Sequence, residues 1–403
     1  MTPQAALAMK SSPDPRCPDF SLVLGGPLFQ FYRRTHLSGS ALELLGRRIL
    51  FVTLLAWLPL VILAWLDGHL LTDSLRMPFL HDIEANARFL IALPALMAGE
   101  VLVHLCMCPL VRNFIERGIV APEDQPKLNV AVNSAMRVRD SAVVELALLF
   151  LVYTLGVWFW RNQLTAGEAT WHAIPGTGSR LTSAGYWYAF VSIPIFQFIV
   201  LRWYVRLVLW FRLLWQISRL RLNLNAVHPD RAGGLGFLGG FSTSFAPVLF
   251  AQGVLLSGFI ANRVLYGGRS LMSFKVETIG FVGFFVLFIL APLTMFSPRL
   301  AYAKWMGAEE YGLLATRYVS GFKKKWIGSS PLETKDLLGT PDLQSLADLM
   351  KSYSTISRMH LAPIKGREVA ELAIATAAPL LPLLLIVFSP RELLDFMVRI
   401  IFR

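Results

Sequence analysis

Long apolar runs separated by short charged segments dominate the chain from Ile49 to Phe388. A helix needs about 20 apolar residues, with a range of roughly 17–25, to cross the hydrocarbon core of a bilayer. Seven runs meet that length: Ile49–Leu66, Phe89–Leu110, Val143–Trp160, Tyr186–Val208, Phe241–Ala261, Ile279–Ser297 and Val369–Phe388. The third ends in Trp158, Phe159 and Trp160 and the fourth opens on Tyr186–Tyr188, aromatic clusters of the kind that sit at headgroup level. Pro379 and Pro382 interrupt the seventh, which can equally be read as re-entrant. The pattern predicts an all-α, polytopic transmembrane helical bundle of about seven spans. It shows no convincing internal repeat, the feature that would favour an inverted-repeat transporter.

One sizeable polar region breaks the series, residues 298–368. Its first part, Ala301–Ile327, keeps helical spacing, so the sixth span is expected to continue as a helix beyond the membrane. A second helix is expected from Pro341, with the proline in the first turn and Asp342 near the positive helix end. About 70 residues is small for an independent domain, so this region reads as a small helical cytoplasmic cap on the bundle. The chain thus divides into an N-terminal segment (1–48), a six-helix membrane region (49–297), the cap (298–368) and a C-terminal membrane helix with an amphipathic, interfacial tail (369–403).

Composition agrees with this division. Of 403 residues, 55% are apolar and only 16% charged, against about 45–50% and about 25% in soluble domains. The net charge of +12 is carried by residues bordering the apolar runs, which argues for topology signals and contact with anionic lipid rather than nucleic acid. Lys and Arg in alternate connections, with Arg202 and Arg206 counted in the connection they border, number 28 against 10. The richer side, including the N-terminus, is therefore expected to be cytoplasmic. Cys17, Cys106 and Cys108 form no disulfide framework. The first residues lack the apolar core of a cleavable signal peptide, so the first span is expected to act as the insertion signal.

Between the fourth and fifth runs the chain reads N-A-V-H-P-D-R-A-G-G-L-G-F-L-G-G, Asn225 to Gly240. Gly234, Gly236 and Gly239 spell G-x-G-x-x-G, but an arginine-studded helix precedes them and no acid follows from Val254 to Ile260. A dinucleotide site needs a strand before and an acid after, so the match is accidental and no cofactor is implied. Glycines at 233, 234 and 236 permit a tight turn whose successive N–H groups favour an anion, with Arg231 adding charge. Ser242 or Ser244 is expected to cap the fifth helix. His228 and Asp230 flank a proline that restricts them. They are either an acid–base pair or part of a structural cap in which Asp230 pairs with an arginine.

This segment, with Leu24–Leu28 (L-G-G-P-L) and Leu337–Leu349 (L-L-G-T-P-D-L-Q-S-L-A-D-L), resembles a group of multi-pass bacterial membrane proteins that share H-x-D-R-A-G-G-L-G-F-L. The likeness covers most of the length. It implies the bacterial inner (plasma) membrane as location and carries no chemistry.

Charges inside spans are costly, about 2.5–3.5 kcal/mol at mid-helix on an insertion scale, and so mark functional candidates. Glu100 falls at the middle of the second run, with His104 and Cys108 following on the same helical stripe. Glu145 enters the third run, and Arg202 and Arg206 close the fourth. A cluster of opposite charges just above the glycine turn is the expected result, with Gln252 as a further polar residue. The alternative is that the arginines snorkel to phosphates. An ion channel or transporter follows first, with a small ion or solute as its cargo, pH-sensitive if Glu100 and His104 line the path. A non-conducting scaffold or sensor, binding a partner or anionic lipid through a cap that includes Lys323–Lys325, comes next. A membrane-embedded enzyme comes last, because no Ser-His-Asp set or zinc helix is present. Either a single chain lines the path or several copies surround it as a homo-oligomer.

Overall fold

The computed structural model describes residues 45–71, 77–164, 170–174, 180–327 and 341–387. Cys17, Leu24–Leu28, residues 337–340, the amphipathic tail, and the side chains of Cys108 and Trp158–Trp160 lie outside the described residues. The fold is all-α. Its elements are α1 (Leu45–Leu66), α2 (Ile83–Glu116), α3 (Gln125–Arg139), α4 (Ala142–Leu164), α5 (Ser183–Ser218), α6 (Phe237–Leu265), α7 (Leu271–Trp326), α8 (Pro341–Ser357) and α9 (Gly366–Leu385). One small hairpin ladder, β1 (Ala173–Ile174) against β2 (Arg180–Leu181), sits between α4 and α5.

Six of these helices, α1, α2, α5, α6, α7 and α9, are long and apolar enough to cross a membrane, and α4 is apolar over Ala142–Thr154. The protein is therefore membrane-embedded. Helix α1 shows how such a helix is partitioned. It buries one stripe at four-residue spacing, Arg48, Val52, Ala56, Leu60 and Ala64, and turns Phe51, Leu55, Leu58 and Ile62 outward. An all-apolar helix with a single buried stripe suits lipid on its other faces. Helix α6 is the most enclosed of the six. The 3-10 turn Ala378–Leu380 absorbs Pro379 without ending the helical run through α9.

The connections sort onto two faces. On one, Ala184 N–H donates to Asp67 at 3.3 Å, and Asp82 accepts from Trp171 and Asn262, each at 2.9 Å. On the other, Asn223 N–H donates to the Ile119 carbonyl at 2.7 Å, and His360 N–H to the Arg231 carbonyl at 2.7 Å. Alternate connections meeting on alternate faces is what successive antiparallel helices require. Helix α3, which periodicity over long apolar runs did not announce, lies on the second face. It packs Leu128, Ala131, Val132 and Ala135 inward against α5. Helix α7 continues past its 3-10 turn (Ala291–Phe296) as the sequence predicts, and pairs with α8. Tyr318 and Trp326 of α7 both donate to Asp342 at the start of α8.

The hairpins α1–α2 and α4–α5 are built alike. Each returning helix starts at a side-chain cap, Asp82 or Thr182, runs five α-helical residues, and then makes a five-residue π turn, Arg88–Ala92 or Tyr188–Ser192. A proline follows in each, Pro94 or Pro194. π turns are rare and concentrate at functional sites, so two in matching positions constitute a structural correspondence that the sequence alone does not display. The two turns also touch, with Arg88 Nη1 donating to Tyr188 Oη at 2.7 Å.

Candidate functional site: a buried ionic cluster between two hairpins

Each hairpin sets a charge on its entering helix against one on its returning helix. In the first, Arg48 of α1 donates to Oε2 of Glu100 on α2. In the second, Glu145 of α4 stands 3.6 Å from Arg202 of α5, with the signs exchanged. Arg206 joins the hairpins by donating to Oε1 of Glu100 at 2.7 Å. Glu100 thus bridges two guanidiniums, one to each oxygen, the charge-assisted geometry that compensates best for removing a carboxylate from water.

The two halves differ in tightness. Side chains of Arg48, Glu100 and Arg206 are 3%, 9% and 5% exposed, whereas Arg202 and Glu145 are 13% and 11% exposed and stand beyond hydrogen-bond length. Trp203 closes the floor. Its indole N–H donates to the Leu96 carbonyl at 3.1 Å, and the Arg206 guanidinium lies 4.8 Å from its ring centre. Arg206 Nη1 is buried and has no hydrogen-bond partner among the described residues. Among the described residues the cluster holds three arginines and two glutamates. Paired charges are arranged here, rather than the independent snorkelling that Arg202 and Arg206 could have adopted.

Pairing with Arg48 also fixes the depth of Glu100. From Arg48 to Leu66 is about 27 Å at 1.5 Å per residue, close to the ~30 Å of a hydrocarbon core. Glu100 is therefore level with the edge of the first span, although it lies at the middle of its own apolar run. His104 follows one turn on and is half-buried. Gln252 is buried in α6.

The glycine turn is a separate site. Twelve residues of α5, roughly 18 Å of helix, separate Arg206 from Ser218, and the turn follows. Its N–H groups do form an anion-binding concavity, but the chain fills it with its own carboxylate. Asp230 accepts from Ala232 N–H at 2.8 Å, Gly234 N–H at 3.2 Å and Gly236 N–H at 2.8 Å. Gly233 and Gly234 have φ of 64° and 95°, the left-handed region that glycine enters without penalty. Arg231 shares it at 56°, and its side chain is exposed. The expected pairing of Asp230 with an arginine gives way to His228, whose Nδ1 lies 2.8 Å from Oδ1. Burial pushes the Asp230 carboxyl up, but the three N–H groups and His228 outweigh it and hold it below the ordinary range. The serine caps are also corrected. Ser242 and Ser244 donate backward to the Leu238 and Phe241 carbonyls, and Asp230 serves the start of α6 through Gly236. At Gly239 there is no room for a side chain, because the Glu368 carboxylate of α9 occupies the space.

A third polar network, not anticipated from sequence, lies on the opposite face. Asp82 caps α2 through Ala85 N–H at 3.0 Å and holds Trp171 and Asn262. Beside it Arg88 pairs with Glu84 at 2.5 Å. His172, packed against Trp171, is held at a pKa of about 4 by burial, with Asp82 opposing in part. An aspartate followed two residues on by an acid in the first turn, Glu84, is a helix-start signal that could have found Asp82. Its distant partners had no such signal.

Set against models of protein families, curated proteins and solved structures, the chain matches none.

Proposed function

We propose that the protein is an ion channel or transporter of the bacterial inner membrane, with the N-terminus and glycine turn on the cytoplasmic side. The observation that carries this reading is the Arg48–Glu100–Arg206 bridge between two similarly built hairpins. Intramembrane charges mark ion paths by default, and in transporters built from paired halves the ion sites lie where the halves meet. The three arginines among the described residues of the cluster support an anion as the cargo. The glycine turn is a structural hub in this reading. It ties α5 to α6, and Arg231 and Gly239 anchor the segments leading to α9. With Asp230 committed to backbone N–H groups, support for an enzyme using it as acid or base is weak.

Ion flux from liposomes holding the purified protein, at several pH values, tests the proposal. Glu100→Gln should change the rate or its pH profile. Unchanged flux with intact folding would remove Glu100 from the path. The scaffold reading is favoured by one feature, the α7–α8 hairpin, which exposes Leu313, Leu343 and Met350 beside Lys323 and Lys324. It predicts no flux and a partner whose capture depends on residues 299–368.

A further inference from the structure

The matched hairpins differ at one point, and that difference suggests a ligand. Arg48 and Glu100 are hydrogen-bonded and nearly sealed; Glu145 and Arg202 are loose and more exposed. Arg202 acts electrostatically on both Glu100 and Arg206, so it belongs to the same cluster. Helix α4 is held chiefly by α5. Around this joint the outward side chains are apolar: Leu146, Leu149 and Phe150 on α4 and Val208 on α5.

We propose that the Arg202–Arg206 face of the cluster binds a phosphate-type anion, delivered between α4 and α5 as the headgroup of a lipid in the adjoining leaflet. Two arginines four residues apart stand one helical turn apart on one face. Their planar N–H forks suit the tetrahedral oxygens of a phosphate better than a spherical ion. The anion supplies what the described cluster lacks, an acceptor for the unpartnered Arg206 Nη1. Glu145 is the group it displaces, and the 3.6 Å separation makes that the weakest contact to break. The apolar surroundings favour arrival from the bilayer over arrival from water, and depth agrees, since Arg48 places the cluster at the hydrocarbon edge. This site goes beyond the transport proposal, because a lipid can occupy it whether or not ions pass.

Native mass spectrometry of the full chain in detergent tests it, with phosphatidylglycerol, phosphatidylcholine and inorganic phosphate as probes. Phosphatidylglycerol should be retained over phosphatidylcholine. Arg202→Gln should lower that retention about tenfold, the equivalent of 1.4 kcal/mol. Arg202→Lys should restore part of it, and Glu145→Gln should raise it. Arg219→Gln, an exposed arginine beside Trp215, should leave it unchanged. Displacement by inorganic phosphate would keep the site and assign it to a free anion; resistance to phosphate would assign it to the lipid. Equal retention of the two lipids, or equal loss in Arg202→Gln and Arg219→Gln, would overturn the proposal. Retention that depends on Arg202 without any flux would sink transport and leave the lipid site standing. Should Arg202→Gln fail to fold, the rise in Glu145→Gln and the indifference of Arg219→Gln decide the matter.

Discussion

Glu100 and Asp230 are both carboxylates withdrawn from water, and the chain satisfies them by opposite means. Asp230 is served by backbone N–H groups no more than six residues away and by a histidine two residues away. Among the described residues Glu100 is served only by side chains, 52 and 106 residues distant in sequence. A local ligand set forms with the turn and costs little extra ordering. A distant one exists only when α1, α2 and α5 are assembled, so its free energy belongs to the assembly of the bundle. The glycine turn, whose N–H groups are taken by Asp230, has no vacancy for a second anion.

The largest expected effect follows directly. Glu100→Ala leaves two buried guanidiniums without their counter-charge, and should destabilise the bundle by about 3–5 kcal/mol, read as a fall in thermal midpoint in detergent. Replacing the whole bridge, Arg48→Met with Glu100→Leu and Arg206→Met, removes the charges together and should recover most of that loss. A recovered midpoint with abolished flux would separate function from stability at this site. If the triple variant is as unstable as Glu100→Ala, packing around Trp203 rather than charge holds the hairpins together.

Asp82 is the intermediate case, with one local partner, Ala85, and two distant ones, Trp171 and Asn262. Asp82→Ala strands donors on three elements and should cost about 2–3 kcal/mol, between the other two, since each unmet buried group costs about 1–3 kcal/mol. A cost as small as that of Asp230→Asn would show that distance in sequence is not what matters.

Legibility divides along the same line. The spans, the extension of α7 and the helical character of Pro341–Ser357 could be read from the chain because each depends on composition or spacing within one element. Glu100, Glu145, Arg202 and Arg206 were legible as candidates because a charge in an apolar run is conspicuous. Arg48 was not, since it sits beside Arg47 at the edge of a run and looks like a topology signal. Glycine spacing announced a concavity for an anion, but only the three-dimensional turn shows that Asp230 fills it. The matched π turns left no sequence signature beyond Pro94 and Pro194, because backbone geometry rather than residue identity is what repeats.

Acid should loosen the Asp82 network before it reaches the glycine turn. His172 has a folded pKa of about 4 and an unfolded value near 6.5. On lowering pH through that interval the unfolded chain takes up a proton that the folded one refuses, so stability falls. The loss is at most about 3 kcal/mol, reduced because the ring is only half-buried, and it levels off below about pH 4. His172→Gln should flatten this part of the curve in thermal melts across pH 4–7. A slope that survives the substitution would assign it to another group.

The smallest effect is expected at Asp230. Asp230→Asn keeps one acceptor oxygen in the turn and turns the other position into a donor that faces N–H groups, a cost of about 1 kcal/mol for a locally satisfied hydrogen bond. The sign of its pH dependence is that of a depressed carboxyl. Its contribution is present above the unfolded value near 3.9 and is lost as pH falls towards the lower folded value. Thermal melts of Asp230→Asn should therefore parallel wild type above about pH 5 with a small offset, and converge on it in stronger acid. A loss as large as that of Glu100→Ala would mean that the turn is holding α6 and α9 in place, as Glu368 against Gly239 allows. Local satisfaction would then be no measure of what a carboxylate contributes to the assembled bundle.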